Sequence, residues 1–174
     1  MARLFVAVWP PDDVLDLVAA LPRPEVEGLR WTTPAQWHVT LRFFGSVELD
    51  DAVGALRGLS ASTTTADLGP EVGRFGRRIL QVSVSGLEGV AAAVVDATAE
   101  VGRPPKDRPF SGHVTLARVR DRRRGVDLRP FVGTPVGARW PVTEISLVES
   151  HLHPRGANYD VVETVLLREP RTMG

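Results

Sequence analysis

The tetrapeptide His-Val-Thr-Leu occurs twice in this 174-residue chain, at 38–41 and at 113–116. His38 and His113 are 75 positions apart, and so are Arg3 and Arg78, which open the strand-like runs "RLFVAVW" and "RILQVSV". At the same offset the helical pattern that follows Pro10 lies over the one that follows Gly86. A unit of strand, helix and motif strand is therefore written twice. Two copies at so long a period do not make a solenoid, which stacks shorter units in larger number. The repeat predicts two similar lobes around a pseudo-twofold axis, with the two motif strands face to face across a groove. The length suits one domain, 1–174, with room for a real core.

Periodicity fills in the units. "PPDDVLDLVAAL" (10–21) sets Val14, Leu17, Val18 and Leu21 on one helical face, with Asp12 and Asp13 where carboxylates suit the helix dipole. Residues 47–59 space Leu49, Val53 and Leu56 as a helix, and 86–102 do the same with Leu87, Val90, Val94 and Val101. The tail reads as two strands, "VTEISLVES" and "YDVVETVLL", joined by a turn through Pro154 and Gly156.

Side chains alternate along a strand, so His38 and Thr40 share one face, Val39 and Leu41 the other, and the second copy repeats this with His113, Thr115, Val114 and Leu116. The apolar pairs belong to the core and the polar pairs to the groove. Thr follows His by about 6.6 Å, so hydroxyl and imidazole can reach one bound group, and two such pairs can clamp a phosphate from opposite sides. Imidazoles titrate near neutrality; one can activate water while the other protonates a leaving oxygen. Hydroxyls and an arginine would then stabilise the phosphoryl oxygens. A lone histidine on an alternating strand is ordinarily a satisfied, half-buried residue. The matched duplication is what favours a site.

Bulk properties remove other classes. Lys and Arg number 21 and Asp and Glu 21, so no net field draws in nucleic acid or an anionic membrane, and local patches matter more. Cysteine is absent, which excludes disulfides and thiolate metal sites and suits a reducing cytoplasm. The run "LFVAV" is too short for a signal segment, and no stretch approaches a membrane span. A soluble cytoplasmic protein is expected.

The motif pair, the flanks "RLFVAVWPP", "RFFG" and "ARV", and the closing "LVESHLHPRGANYDVVETVLL" together resemble the two-histidine (2H) phosphoesterases, within them the bacterial and archaeal RNA 2',3'-cyclic phosphodiesterases long called 2'-5' RNA ligases. The resemblance spans nearly the whole chain. It implies a bilobal α+β fold, two pseudo-symmetric lobes of antiparallel sheet with helices outside and a central groove. It also implies a metal-free mechanism without cofactor that opens a terminal 2',3'-cyclic phosphate to a 2'-phosphate. In that family's pattern His38 would be the proton donor to the departing 3'-oxygen and His113 the acceptor from water. Thr40 and Thr115 would hold the phosphate, and Arg118, five residues after the second histidine, would grip it. Strict alternation favours Arg42 instead, which shares His38's face; Arg118 qualifies only if the strand bulges or ends after Leu116. The expected partners are RNA ends with a 2',3'-cyclic phosphate, such as tRNA fragments, and a monomeric state is expected. Weak ATP-independent 2'-5' ligation would result where an RNA 5'-hydroxyl takes the place of water.

Other features carry smaller claims. Glu149, His151 and His153 alternate in "ESHLHP" and can be read as metal ligands or as the mouth of a turn. "RVRDRRRGVDLR" is a solvated loop or a phosphate-backbone contact. Phe5, opposite Leu4 and Val6 on the first strand, stacks a base or belongs to a second packed layer. Two rival functions remain: another 2H phosphodiesterase acting on small cyclic nucleotides or 2'-5' linkages, and an RNA-binding module without catalysis.

Overall fold

Alternation in the first strand decides which face of the sheet is filled. In the computed structural model, which describes residues 1–121 and 123–170, β1 (Ala2–Val8) turns Leu4, Val6 and Val8 into the main core. Phe5 and Ala7 point to the other face, where they meet Val148 in a small second cluster bordered by Trp9, Phe43 and Tyr159. Three helices cover the main-core face: α1 (Asp12–Ala19), α2 (Leu49–Leu56) and α3 (Glu88–Ala97). They contribute Val14 and Val18, Ala52 and Leu56, and Val90, Ala91 and Val94 to the core. Burying each of the larger side chains stabilises the fold by about 1.5–3 kcal/mol. The opposite face is left open for chemistry.

The remaining strands are β2 (Leu29–Trp31), β3 (Val39–Val47), β4 (Thr64–Phe75), β5 (Ile79–Ser85), β6 (His113–Val119), β7 (Ala138–Val142), β8 (Glu144–His151) and β9 (Asn158–Leu166). All nine form one sheet in the order β7-β4-β5-β6-β3-β1-β8-β9, with β2 added alongside β6. Each named pairing is antiparallel. The order is that of two half-sheets, β9-β8-β1-β3 and β6-β5-β4-β7, joined at a single bridge between Val39 and Val114. β1, α1 and β3 recur as β5, α3 and β6, so the repeat of 75 positions is structural. This is a bilobal α+β fold with its helices outside. The motif strands lie side by side in one sheet, however, and do not confront each other across the groove, which opens on a single face.

The helices are shorter than their apolar periodicity. Prolines 10 and 11 delay α1 to Asp12, and Gly86 and Gly102, both at positive φ, lie outside the two ends of α3. Leu17 and Leu49 fall off the covered faces and are 49% and 38% exposed. Strands β2, β4 and β7 have no counterpart in the periodicity reading. Among the described residues no helix is long and apolar enough to cross a membrane.

Candidate active site

Each histidine stands at the head of its motif strand, and in both the ring is set the same way. His38 Nδ1 lies 2.8 Å from the carbonyl of Gln36, and His113 Nδ1 lies 2.9 Å from that of Ser111. Gln36 and Ser111 are themselves one repeat apart. A carbonyl only accepts, so geometry assigns the proton to Nδ1 in both rings and leaves Nε2 as the working nitrogen. Nε2 of His38 is 3.0 Å from the Thr40 hydroxyl. Both histidines, Thr40, Thr115 and Arg118 line one pocket of about 320 Å³ on the open face of the sheet.

Two bulges explain who joins them. Along β3, Ala7 faces Thr40 but Val6 faces Arg42, so Leu41 is an extra residue. Along β6, Gln81 faces Thr115 but Leu80 faces Ala117, so Leu116 is the extra residue. These are the final leucines of the two motifs. Each bulge reverses the alternation beyond it, so residues five positions after the histidines, Phe43 and Arg118, turn into the pocket. Residues four positions after, Arg42 and Ala117, turn away.

The expectation for Arg42 is thereby corrected. Its side chain is 5% exposed; Nε donates to Thr98 Oγ1 at 3.0 Å, and Nη2 to the carbonyls of Thr98, Val101 and Arg103 at 3.2, 2.8 and 3.1 Å. It fastens the chain leaving α3 and does not reach the groove. Phe5 lines the pocket but is only 4% exposed, with its ring 5.0 Å from that of His38 and 5.2 Å from Tyr159. It belongs to the second packed layer and offers no open face to a base. Glu149 and Asp160 lie 3.9 and 3.0 Å from His151 Nε2 in a solvent-facing cluster, and His153 Nδ1 accepts from the Arg155 amide. Among the described residues no three His, Cys, Asp or Glu side chains gather as a ligand set. In the arginine run, Arg124 pairs with Glu27 and Arg129 with Asp127; Arg122 lies outside the described residues.

Burial separates the two imidazoles electrically. Phe5, Trp9 and Tyr159 surround His38, whereas among the described residues a single aromatic ring, that of Phe75, meets the His113 ring, edge-on at 4.6 Å. Loss of water pushes His38 down to about 4, helped by His113 and Arg118 and opposed by the Gln36 carbonyl. His113 is also lowered, by burial first and then by Arg118 and Arg108, against the Ser111 carbonyl. Burial raises Tyr159 despite Arg118 and Arg3. Burial thus disfavours the charged form of both imidazoles, which line one pocket.

Several lining residues escaped the sequence reading. The Thr32 hydroxyl reaches the carbonyls of Thr115 and Leu116 at 2.7 and 2.9 Å and receives the indole N–H of buried Trp37 at 2.9 Å. It ties the residue before His38 to the bulge after Thr115. Phe43 was legible as the repeat partner of Arg118. Ser150, Leu152, Gly156 and Tyr159, the Ser-x-Leu, Gly, Tyr pattern of the closing segment that helps carry the family resemblance, also line the pocket.

Two base-capable imidazoles, each with a hydroxyl two residues on, and arginine at the pocket wall make an acid–base site for a tetrahedral anion: this is the apparatus of a phosphoesterase. No protein-family model matches the chain. It is 34% identical to the RNA 2',3'-cyclic phosphodiesterase of Thermus thermophilus, over 95% of this chain and 90% of that protein. The fold is similar to that of TT0787 of Thermus thermophilus, with a TM-score of 0.77, 28% identity and coverage of 97% and 100% of the two chains. It is also similar to E. coli LigT complexed with 3'-AMP, with a TM-score of 0.72, 22% identity and coverage of 95% and 98%. The chain belongs to the RNA 2',3'-cyclic phosphodiesterase family of the two-histidine phosphoesterases.

Proposed function

We propose that this protein hydrolyses the 2',3'-cyclic phosphate at an RNA end, leaving a 2'-phosphate. The observation that carries the reading is the convergence of both Nε2 atoms, both motif threonines and Arg118 on one pocket. His113 takes a proton from water as its oxygen bonds to phosphorus; the bond to the 3'-oxygen breaks, and His38 delivers the proton that the 3'-oxygen needs. Thr40 and Thr115 donate hydrogen bonds to the nonbridging oxygens, and Arg118 offsets their charge. Only ribose carries the 2'-hydroxyl that such a cyclic ester requires. RNA fragments with this end, including those of tRNA, are the substrates this chemistry suits.

The same pair in the same protonation states serves ligation. An RNA 5'-hydroxyl then replaces water and gives its proton to His113, the 3'-oxygen departs with the proton from His38, and a 2'-5' joint forms without ATP. Water outnumbers RNA ends, so hydrolysis dominates and ligation is weak. The test is product analysis on a short RNA carrying a 2',3'-cyclic phosphate. A 2'-phosphate formed at full rate in chelator is the expected result, since proton transfer and charge neutralisation are assigned to side chains. A 3'-phosphate, or a strict requirement for a divalent ion, refutes the mechanism. RNA retained without turnover of any cyclic phosphate would instead indicate a binding module.

A further inference from the structure

Arg30, in the short strand β2, has no place in the mechanism above, yet it lines the same pocket. It stands directly opposite Arg118 in the β2–β6 register. Directly opposed side chains on paired strands have Cβ atoms about 5 Å apart, and like charges there are destabilising. Among the described residues neither guanidinium has an ion-pair partner. Arg30 Nη2 is moreover buried with no hydrogen-bond partner. The protein keeps two unneutralised cations side by side, one with an unsatisfied donor, where solvation or a carboxylate would stabilise both.

The surroundings hold Arg30 in place. The turn between β8 and β9 passes over it: a Cβ on Gly156, at φ +121°, would lie 2.1 Å from Arg30 Nη2 and 2.8 Å from Gln36 Nε2. Gln36 Nε2 donates to the Ala157 carbonyl at 2.9 Å and pins that turn. A glycine is needed there to accommodate the guanidinium, which packing keeps at the pocket wall.

We infer that Arg30 forms a second anion subsite beside Arg118, and that it holds the phosphate on the 5' side of the terminal nucleoside while Arg118 holds the reacting one. This rests on the proposed hydrolysis and narrows its substrate class to strands, or nucleotides bearing a 5'-phosphate, in preference to plain nucleoside cyclic phosphates. Successive phosphates of one strand are a nucleotide apart, a span that two adjacent arginine forks can cover, and bidentate pairing to phosphate is what arginine does best.

The experiment compares kcat/KM for cytidine 2',3'-cyclic phosphate with a free 5'-hydroxyl and for the same compound carrying a 5'-phosphate. The base is constant, so a base contact cannot produce a difference. Wild-type protein should prefer the 5'-phosphorylated compound by at least about tenfold, equivalent to about 1.4 kcal/mol. Arg30→Met should bring the ratio close to one, and Arg30→Lys should keep an intermediate ratio. A wild-type ratio near one overturns the inference without need of any variant, and so does a folded Arg30→Met protein that retains the preference. Should Arg30→Met not fold, Arg30→Lys and Arg30→Gln supply the comparison, and equal ratios in both and in wild type count against the subsite. Absence of turnover on both compounds by wild-type protein would instead refute the proposed hydrolysis itself.

Discussion

Burial holds His38 neutral at neutral pH, yet the proposed proton donor must carry a proton when the 3'-oxygen leaves. Binding an anion should resolve the conflict. At an effective dielectric of about 20, one negative charge about 5 Å from the imidazolium contributes about 3 kcal/mol, or about two pKa units. A nucleoside 2'-phosphate, the proposed product, should therefore lift His38 from about 4 towards the ordinary histidine range. Histidine carbon-bound proton resonances followed against pH, with and without that ligand, read this directly. Kinetics should agree: the bell for kcat, which reports the complex, should lie at higher pH than the bell for kcat/KM, which reports the free enzyme. Both bells describe the coupled pair, not either residue alone. Stability follows with a definite sign. His38's folded pKa lies below its unfolded value, so stability is intact above about pH 6.5 and declines as pH falls towards about 4, by about 3 kcal/mol in all. Ligand should remove most of that decline. A His38 that titrates near 6.5 in the empty protein, or that ignores the ligand, refutes the reasoning.

Three further outcomes are expected. His38→Ala and His113→Ala should each lower kcat by at least about a hundredfold in folded protein, the usual worth of a general acid or base; near-normal turnover in either variant would reject the paired mechanism. Arg118→Ala should lower kcat/KM by about 1.5–3 kcal/mol with little change in melting temperature, whereas Arg42→Ala, which strips four hydrogen bonds from the end of α3, should act mainly on melting; exchanged phenotypes would contradict the bulges. Thr32→Val removes the acceptor of the Trp37 indole and the hydroxyl that reaches the carbonyls of the β6 bulge, so it should cost about 1–3 kcal/mol in chemical denaturation, with Thr32→Ser retaining most of the stability.

The repeat made the two lobes, the motif strands and both histidines legible, because a shared offset of 75 residues is a global signal that local propensity cannot imitate. The arginine question was not decidable in the same way. Arg42 and Arg118 differ by one position in their distance from a histidine, and which of them faces the pocket depends on an extra residue at Leu41 and at Leu116. A bulge is a property of the pairing between strands, so neither strand's own sequence announces it. β4 went unread for a related reason: its Thr-rich start, Gly69-Pro70 and Gly73 dilute the alternation that burial of Ala66, Leu68 and Val72 later satisfies. Arg30 is one basic residue in a three-residue strand. Only the strand across from it and the turn above it give it meaning.

The strand order also governs how such a chain can be made. β1 and β3 come early in synthesis, but the other edge of β1 is covered only by β8, and that of β4 only by β7. Leu4 to Ala7 thus wait for residues beyond 144 before their second neighbour exists. Neither half of the gene encodes one of the lobes. An N-terminal fragment ending after the second motif would expose two open sheet edges, the surfaces on which strands of different chains associate. Folding must therefore be largely completed after the C-terminal hairpin leaves the ribosome, and with its many distant pairings it should be slow for a protein of this size. The two-lobed enzyme is inherited as a repeat but can be assembled only as a whole.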